Sequence, residues 1–195
     1  MGREVKSPTR RKSRNTPRAS SQSRAPKKLR IAFASDHAGV ELKAALISTL
    51  SSSDELLELG LSDYCQGDGD SSTIQCLDLG PTRPDRVDYP DYAKKVAQAV
   101  LKKKADLGVL ICGSGIGMSI SANKFPGIRA ALVENPLSAR LAKEHNHANI
   151  LCLGARFVAP PYAASILAAW LSAHFDPQSR HQDRIKKIAA LERLF

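Results

Sequence analysis

The 195-residue chain predicts an α/β fold: a mostly parallel five-stranded sheet covered by helices on both faces. Three observations lead there. Short apolar runs recur along the chain, each closing on a glycine or polar turn, with amphipathic stretches of helical period between them. Apolar residues at 43% and charged residues at 25% describe one ordinary core, which a chain of this length fills as a single domain. Finally, the glycine turn "CGSGIG" directly follows the apolar run "LGVLI", and open parallel sheets bind ligands at such carboxyl ends of strands.

Taken in order, "LRIAFAS" (29–35) is an apolar run ending in a polar turn and reads as the first strand. "GVELKAALISTL" (39–50) sets Val40, Leu42, Ala44, Ala45, Ile47 and Leu50 near helical period, so a helix follows. "ELLELG" (55–60), closed by glycine, reads as the second strand. Residues 61–86 are rich in Gly, Asp, Ser and Pro and read as a long surface loop, with a short strand near "TIQCLDLG". The "DGDSS" within that loop lacks the terminal glutamate spacing of a calcium site, so no metal is assigned. "DYPDYAKKVAQAVLKKK" (88–104) has Pro90 and Asp91 near its start and three lysines at its end, which suits both ends of a helix dipole. "LGVLIC" (107–112), "GIRAALVE" (127–134) and "NILCLG" (149–154) complete the strands. "NPLSARLAKEHN" (135–146) is a helix with Asn135 as N-cap and Pro136 at its first position. "PPYAASILAAWLSAHF" (160–175) and "DRIKKIAALERLF" (183–195) are amphipathic helices.

The net charge of +10 is concentrated at one end. Residues 1–28 hold ten Lys/Arg against Glu4 alone, which leaves +1 for residues 29–195. With Met1 and Val5 as its only large apolar side chains, residues 1–28 are expected to be a disordered extension before the domain at 29–195. Three readings of this tail stand: a solvated tail, an organellar targeting peptide, or a patch for nucleic acid or an anionic membrane. Arg and Ser richness suits targeting, whereas the absence of an amphipathic stripe does not. Lys6 spoils the myristoylation pattern that Gly2 begins. No apolar run reaches the roughly 18 residues of a membrane span. Cys65, Cys76, Cys112 and Cys152 form no CxxC pair and no zinc-spaced cluster, so free thiols in a reducing compartment, the cytoplasm, are expected.

The glycine turn carries the chemistry. Gly113, Gly115 and Gly117 let backbone N–H groups approach a ligand, and such a cradle favours an anion. A dinucleotide fingerprint would need a third glycine where Met118 stands, and the turn follows a later strand rather than the first. Cys112 ends the strand against those donors, a setting that can activate a thiol. A buried structural thiol and a nucleophile or base both stay open on position alone. "SDHAG" sets Asp36 and His37 after the first strand, and "KEHNHAN" sets His145 and Asn146 at a helix-to-strand turn. Arg180 and Arg184 in "SRHQDR" lie one helical turn apart, either as a solvated pair or as a phosphate clamp.

The blocks "SDHAG", "DYPDYA", "CGSGIGMSISANK", "GIRAAL", "EHNHANI", "GAR" and "SRHQDRIKKI" together resemble the ribose-5-phosphate isomerase B family, which also holds galactose-6-phosphate isomerase subunits. The likeness runs in order from about residue 30 to the C-terminus. It implies a Rossmann-like three-layer α/β/α domain with no nucleotide cofactor and no metal. It also implies a homodimer, or a dimer of dimers, whose active site spans the interface. Cys112 would then be the base moving a proton between C1 and C2 of a sugar phosphate, with Ser114 and the Gly113, Gly115 and Gly117 turn holding the enediolate oxygen. His145 would open the furanose ring, helped by Asp36 and Asn146, and Tyr89 would line the site. His37, Arg180 and Arg184 would bind phosphate, with Arg156 a further candidate.

The implied reaction interconverts ribose 5-phosphate and ribulose 5-phosphate in the pentose phosphate pathway. A six-carbon sugar phosphate is the alternative substrate, and a non-catalytic phosphosugar- or nucleic-acid-binding protein using the tail is the alternative class. Three departures from the family pattern stand out: His147 where Asp is usual, a longer connection at 61–80, and the basic tail.

Overall fold

Five strands, β1 (Leu29–Ser35), β2 (Ile74–Asp78), β3 (Leu107–Cys112), β4 (Ala130–Leu132) and β5 (Ile150–Gly154), pair in the order β2-β1-β3-β5-β4. Every pair is parallel, so the expected mostly parallel sheet is wholly parallel. The structure, a computed structural model, describes residue 2 and residues 28–65, 73–177 and 179–193. The expected basic extension lies outside the described residues apart from Gly2 and Lys28, and so does the "DGDSS" segment.

Strand side chains alternate between two cores, as a period of two requires. Ile31, Phe33, Val109, Ile111, Leu151 and Leu153 pack with Leu42, Leu46 and Leu50 of α1 (Val40–Ser51) and with Ile166, Leu167 and Trp170 of α6 (Pro160–Ser172). On the other face Ala32, Ala34, Leu110, Cys112, Ile150 and Cys152 meet Ala93, Val96 and Ala97 of α3 (Tyr89–Leu101) and Met118 and Ala122 of α4 (Ile116–Ala122). Burying one large apolar side chain is worth roughly 1.5–3 kcal/mol. Leaving either face bare would forfeit several such contributions, so both helix layers are needed. Cys112 belongs to the α3/α4 face, and that fixes which helices border its sulfur.

The second strand is not where periodicity put it. "ELLELG" lies in α2 (Ser53–Glu58) and the turn after it, with Leu56 buried and Leu57 52% exposed. The reason is local: Ser52 Oγ accepts the Glu55 N–H at 3.3 Å, and Ser-x-x-Glu is a helix-start signature that outweighs a short apolar run. β2 comes instead from "TIQCLDLG". Asn135 caps α5 (Pro136–Glu144) as expected, its Oδ1 accepting the Ser138 N–H at 2.8 Å. The last helix, α7 (Ser179–Leu191), starts four residues before the expected boundary and so carries Arg180 and Arg184 on one helix.

A lysine is sealed inside the fold. Lys43 of α1 is 1% exposed; its ammonium pairs with Asp78 at the end of β2 and donates to the Pro81 carbonyl at 2.8 Å. Asp78 also accepts the Gly80 N–H at 2.8 Å, and the Gly80 carbonyl accepts the Ser35 N–H at 3.0 Å. The segment after β2 is thus tied to the end of β1, one residue before Asp36.

Candidate active site

β3 delivers Cys112, 4% exposed, to the carboxyl edge of the sheet, and the chain turns at once into α4. The turn needs glycine at 115: φ is +75°, and a Cβ there would stand 2.5 Å from Leu132 Cδ1 and 2.9 Å from the Leu153 carbonyl carbon. This conformation aims the Gly115 N–H back at the strand end, where it donates to Cys112 Sγ at 3.0 Å. The sulfur is thereby fixed over the turn. Ser114 stands beside it, its Oγ accepting the Ile116 N–H at 3.4 Å. Gly117 leaves room for Tyr89, whose ring would lie 2.6 Å from a Cβ at that position.

The end of β1 supplies the facing wall. The Asp36 N–H donates to the Ile111 carbonyl at 3.0 Å, which joins the ends of β1 and β3. Asp36 is 7% exposed and its Oδ1 accepts the Ala38 N–H at 2.9 Å, so the carboxylate caps a 3₁₀ turn that carries His37 into solvent. After β5 the Arg156 N–H donates to the Gly113 carbonyl at 3.1 Å, and its guanidinium lies over Gly113. Asp36, His37, Tyr89, Cys112, Ser114 and Arg156 border one cleft of about 400 Å³, a size usual for small-ligand sites. Gly113 and Gly117 form its floor. The cleft opens between β1 and β3, where the direction of the sheet's connections reverses.

His145, Asn146, Arg180 and Arg184 do not reach this cleft. His145 caps the C-terminus of α5, immediately before β5, and helix-to-strand turns in a parallel sheet lie at the amino edge. The Asn149 carbonyl accepts the Gly108 N–H at 2.9 Å, so this turn flanks the start of β3. Cys112 is four residues further on, about 13 Å along the strand. α7 docks at that same edge: the His145 and His181 rings stack with centroids 4.3 Å apart, and the Gly127 N–H donates to Glu192 Oε1 at 2.9 Å. Arg180 and Arg184 are exposed there, and Asn146 lines a separate cavity of about 520 Å³ beside Arg129 and Glu192. One copy of the chain therefore places these two groups of residues on opposite sheet edges.

Residues 31–188 match a family model described as Ribose/Galactose Isomerase. The chain belongs to that family. Ribose-5-phosphate isomerase B of Escherichia coli strain K12 is 40% identical over 163 residues, which cover 84% of this chain and 96% of that protein. The solved ribose-5-phosphate isomerase B of Clostridium thermocellum is 40% identical with a TM-score of 0.71, and the match covers 85% of this chain and 99% of that one. The Mycoplasma genitalium enzyme, solved with bound ribulose-5-phosphate, is 38% identical with a TM-score of 0.68, covering 86% and 98%. The protein is thus an isomerase of the ribose/galactose family with an α/β fold.

Two of the departures noted in the sequence fall wholly or partly on described residues. His147, with φ of +49°, stacks on Phe175 with centroids 4.8 Å apart. Burial, and then the charges of Arg129 and Lys143, hold its pKa below the usual histidine value. The longer connection at 61–80 is described at its two ends, a 3₁₀ turn at Ser62–Tyr64 and β2. Met118, which displaces the third glycine of a dinucleotide motif, is fully buried against α3 and the sheet. Among the described residues no three His, Cys, Asp or Glu side chains gather as metal ligands would, and no helix is long and apolar enough to cross a membrane. Sequence reasoning missed Lys43 and His181. A lysine in phase with Leu46 and Leu50 of a helix was a legible signal for the first. For the second the sequence offers no such signal, since its burial depends on how α7 docks.

Proposed function

We propose that this isomerase interconverts D-ribose 5-phosphate and D-ribulose 5-phosphate, with Cys112 as the base. The carrying observation is the seat of the sulfur: it ends β3 inside a cleft, under a backbone donor, facing Asp36 and Ser114. A bound relative, the M. genitalium enzyme with ribulose-5-phosphate, supports the substrate class. In the open-chain aldose the Cys112 thiolate removes the C2 proton, leaving an enediolate, and returns a proton to C1 while another proton passes from O2 to O1. Developing charge on oxygen is met by Ser114 and the N–H groups of the glycine turn. Asp36 holds sugar hydroxyls and Tyr89 walls the ring.

His145 opens the furanose as acid and base, a task for an imidazole, which can both donate and accept a proton. Asn146 binds beside it. Arg180, Arg184, His37 and Arg156 hold phosphate, so that the inert end of the substrate orients the reacting carbons. Because His145 and the two helix arginines sit at the edge opposite Cys112, a second copy supplies them, and the working unit is a homodimer or a dimer of dimers. The four free cysteines suit the reducing cytoplasm as its compartment.

The test is direct. Pure protein isomerises ribose 5-phosphate faster than it isomerises galactose 6-phosphate or allose 6-phosphate. A preference for either six-carbon compound overturns the pentose assignment, and inactivity on all three overturns the reading.

A further inference from the structure

One buried side chain faces the ring of His145 and has no role in the scheme above. His181 is 3% exposed, and its imidazole lies nearly parallel to that of His145, with 9° between planes and 4.3 Å between centroids. Arg180 Nε donates to His181 Nε2 at 3.2 Å. A guanidinium is only ever a donor, so this bond assigns Nε2 as an acceptor and the ring as the neutral Nδ1–H tautomer. Asp176 Oδ2 stands 3.9 Å from the same nitrogen, beyond hydrogen-bond reach. Burial, His145, Arg180 and Arg184 hold the His181 pKa below the usual histidine value, against the opposing pull of Asp176.

We propose that His181 is a positioning residue for His145, a neutral aromatic platform that fixes the plane of its ring through the ring-opening step. The inference rests on the reading of His145 as the ring-opening group. His145 sits half-exposed at a helix end, where an unsupported imidazole samples several rotamers. A parallel ring against one face removes that freedom and leaves the ring edge, with both nitrogens, free to meet substrate. When His145 takes up a proton, the π face of a neutral ring attracts the new cation, whereas a protonated His181 would repel it. Arg180 keeps the platform neutral through Nε while its exposed terminal nitrogens remain free for phosphate. One helix turn thus couples the phosphate clamp to the ring-opening group.

The test uses the full chain and two assays: turnover of ribose 5-phosphate, and entry of solvent deuterium at C1 of ribulose 5-phosphate. The second needs the base but no ring opening. His181→Gln keeps an acceptor for Arg180 and loses the ring; His181→Phe keeps the ring face. The expected result is a loss of roughly tenfold or more in kcat for His181→Gln, with deuterium entry within about twofold of wild type and recovery of most turnover by His181→Phe. Equal loss in both assays, or His181→Gln matching wild type in both, overturns the proposal. Should His181→Gln fail to fold, His181→Leu takes its place under the same outcomes. A wild-type chain inactive in both assays instead overturns the functional reading, and this proposal with it.

Discussion

Lys43 and Asp78 form a pair whose two halves differ in their access to water, and that difference predicts an asymmetry. The Lys43 side chain is 2% exposed and that of Asp78 is 38% exposed. In Asp78→Ala the ammonium stays sealed with the Pro81 carbonyl as its remaining partner. Stranding a buried charge costs about 3–5 kcal/mol. Lys43→Met keeps the apolar stem and strands only a carboxylate that water reaches and that still accepts the Gly80 N–H. Its loss is that of one hydrogen bond and a screened ion pair, about 1–2 kcal/mol. For a fold of this size each kcal/mol shifts Tm by about 2–4 °C. Urea unfolding at one fixed protein concentration, which keeps any association constant, gives both numbers. Asp78→Ala should be the more damaging by at least about 1 kcal/mol. The reverse order, or two equal losses, refutes the account of a sealed lysine with a wet partner.

Other variants report on the site. Cys112→Ala should lower ribose 5-phosphate turnover by at least about 10²-fold while inorganic phosphate still inhibits wild-type-like in residual assays; unchanged turnover removes the base assignment. Arg184→Ala should raise KM roughly tenfold or more, the worth of one charge-assisted hydrogen bond, with kcat within a few-fold, and a wild-type KM argues against phosphate contact. Lys143 is held at a pKa of about 8 by burial and by Arg129, with its ammonium 4.9 Å from the Trp170 ring centre. Below pH 8 it is charged in both folded and unfolded chains, so the fold carries the full desolvation penalty there. Between pH 8 and the usual 10.5 the unfolded chain alone keeps the proton, and the penalty fades as pH rises. Lys143→Met should therefore raise Tm at pH 7 by a few degrees, about 1 kcal/mol after the lost ring contact is allowed for. That gain should shrink toward pH 10, and a drop in Tm at pH 7 contradicts it.

What could be read from residues alone followed the strength of local signals. β3, β5 and residues 31–34 of β1 announce themselves as apolar runs because both faces of a central parallel strand are buried. β4, at the edge, has three paired residues and a half-exposed pattern, so its bounds were drawn too wide. "ELLELG" misled because its burial is one-sided in a way that a six-residue window cannot separate from a strand; the Ser52–Glu55 start signal was the better guide. The Cys112 cleft was legible because Asp36, Ser114 and Arg156 each follow closely on a strand end; Tyr89, at the start of α3, is the exception. Its separation from His145 was legible too, in the order helix-then-strand, but the packing of His181 on His145 depends on how α7 docks. No spacing along the chain encodes that.

The strand order has a bearing on how the molecule is built. β4 pairs only with β5, which lies later in the chain yet fills the gap between β3 and β4. Until residue 154 has emerged from the ribosome, the strand that bears Cys112 has an open flank and residues 130–132 have no neighbour to zip onto. A chain that stops between β4 and β5 therefore leaves both the free flank of β3 and residues 130–132 without their partner strand.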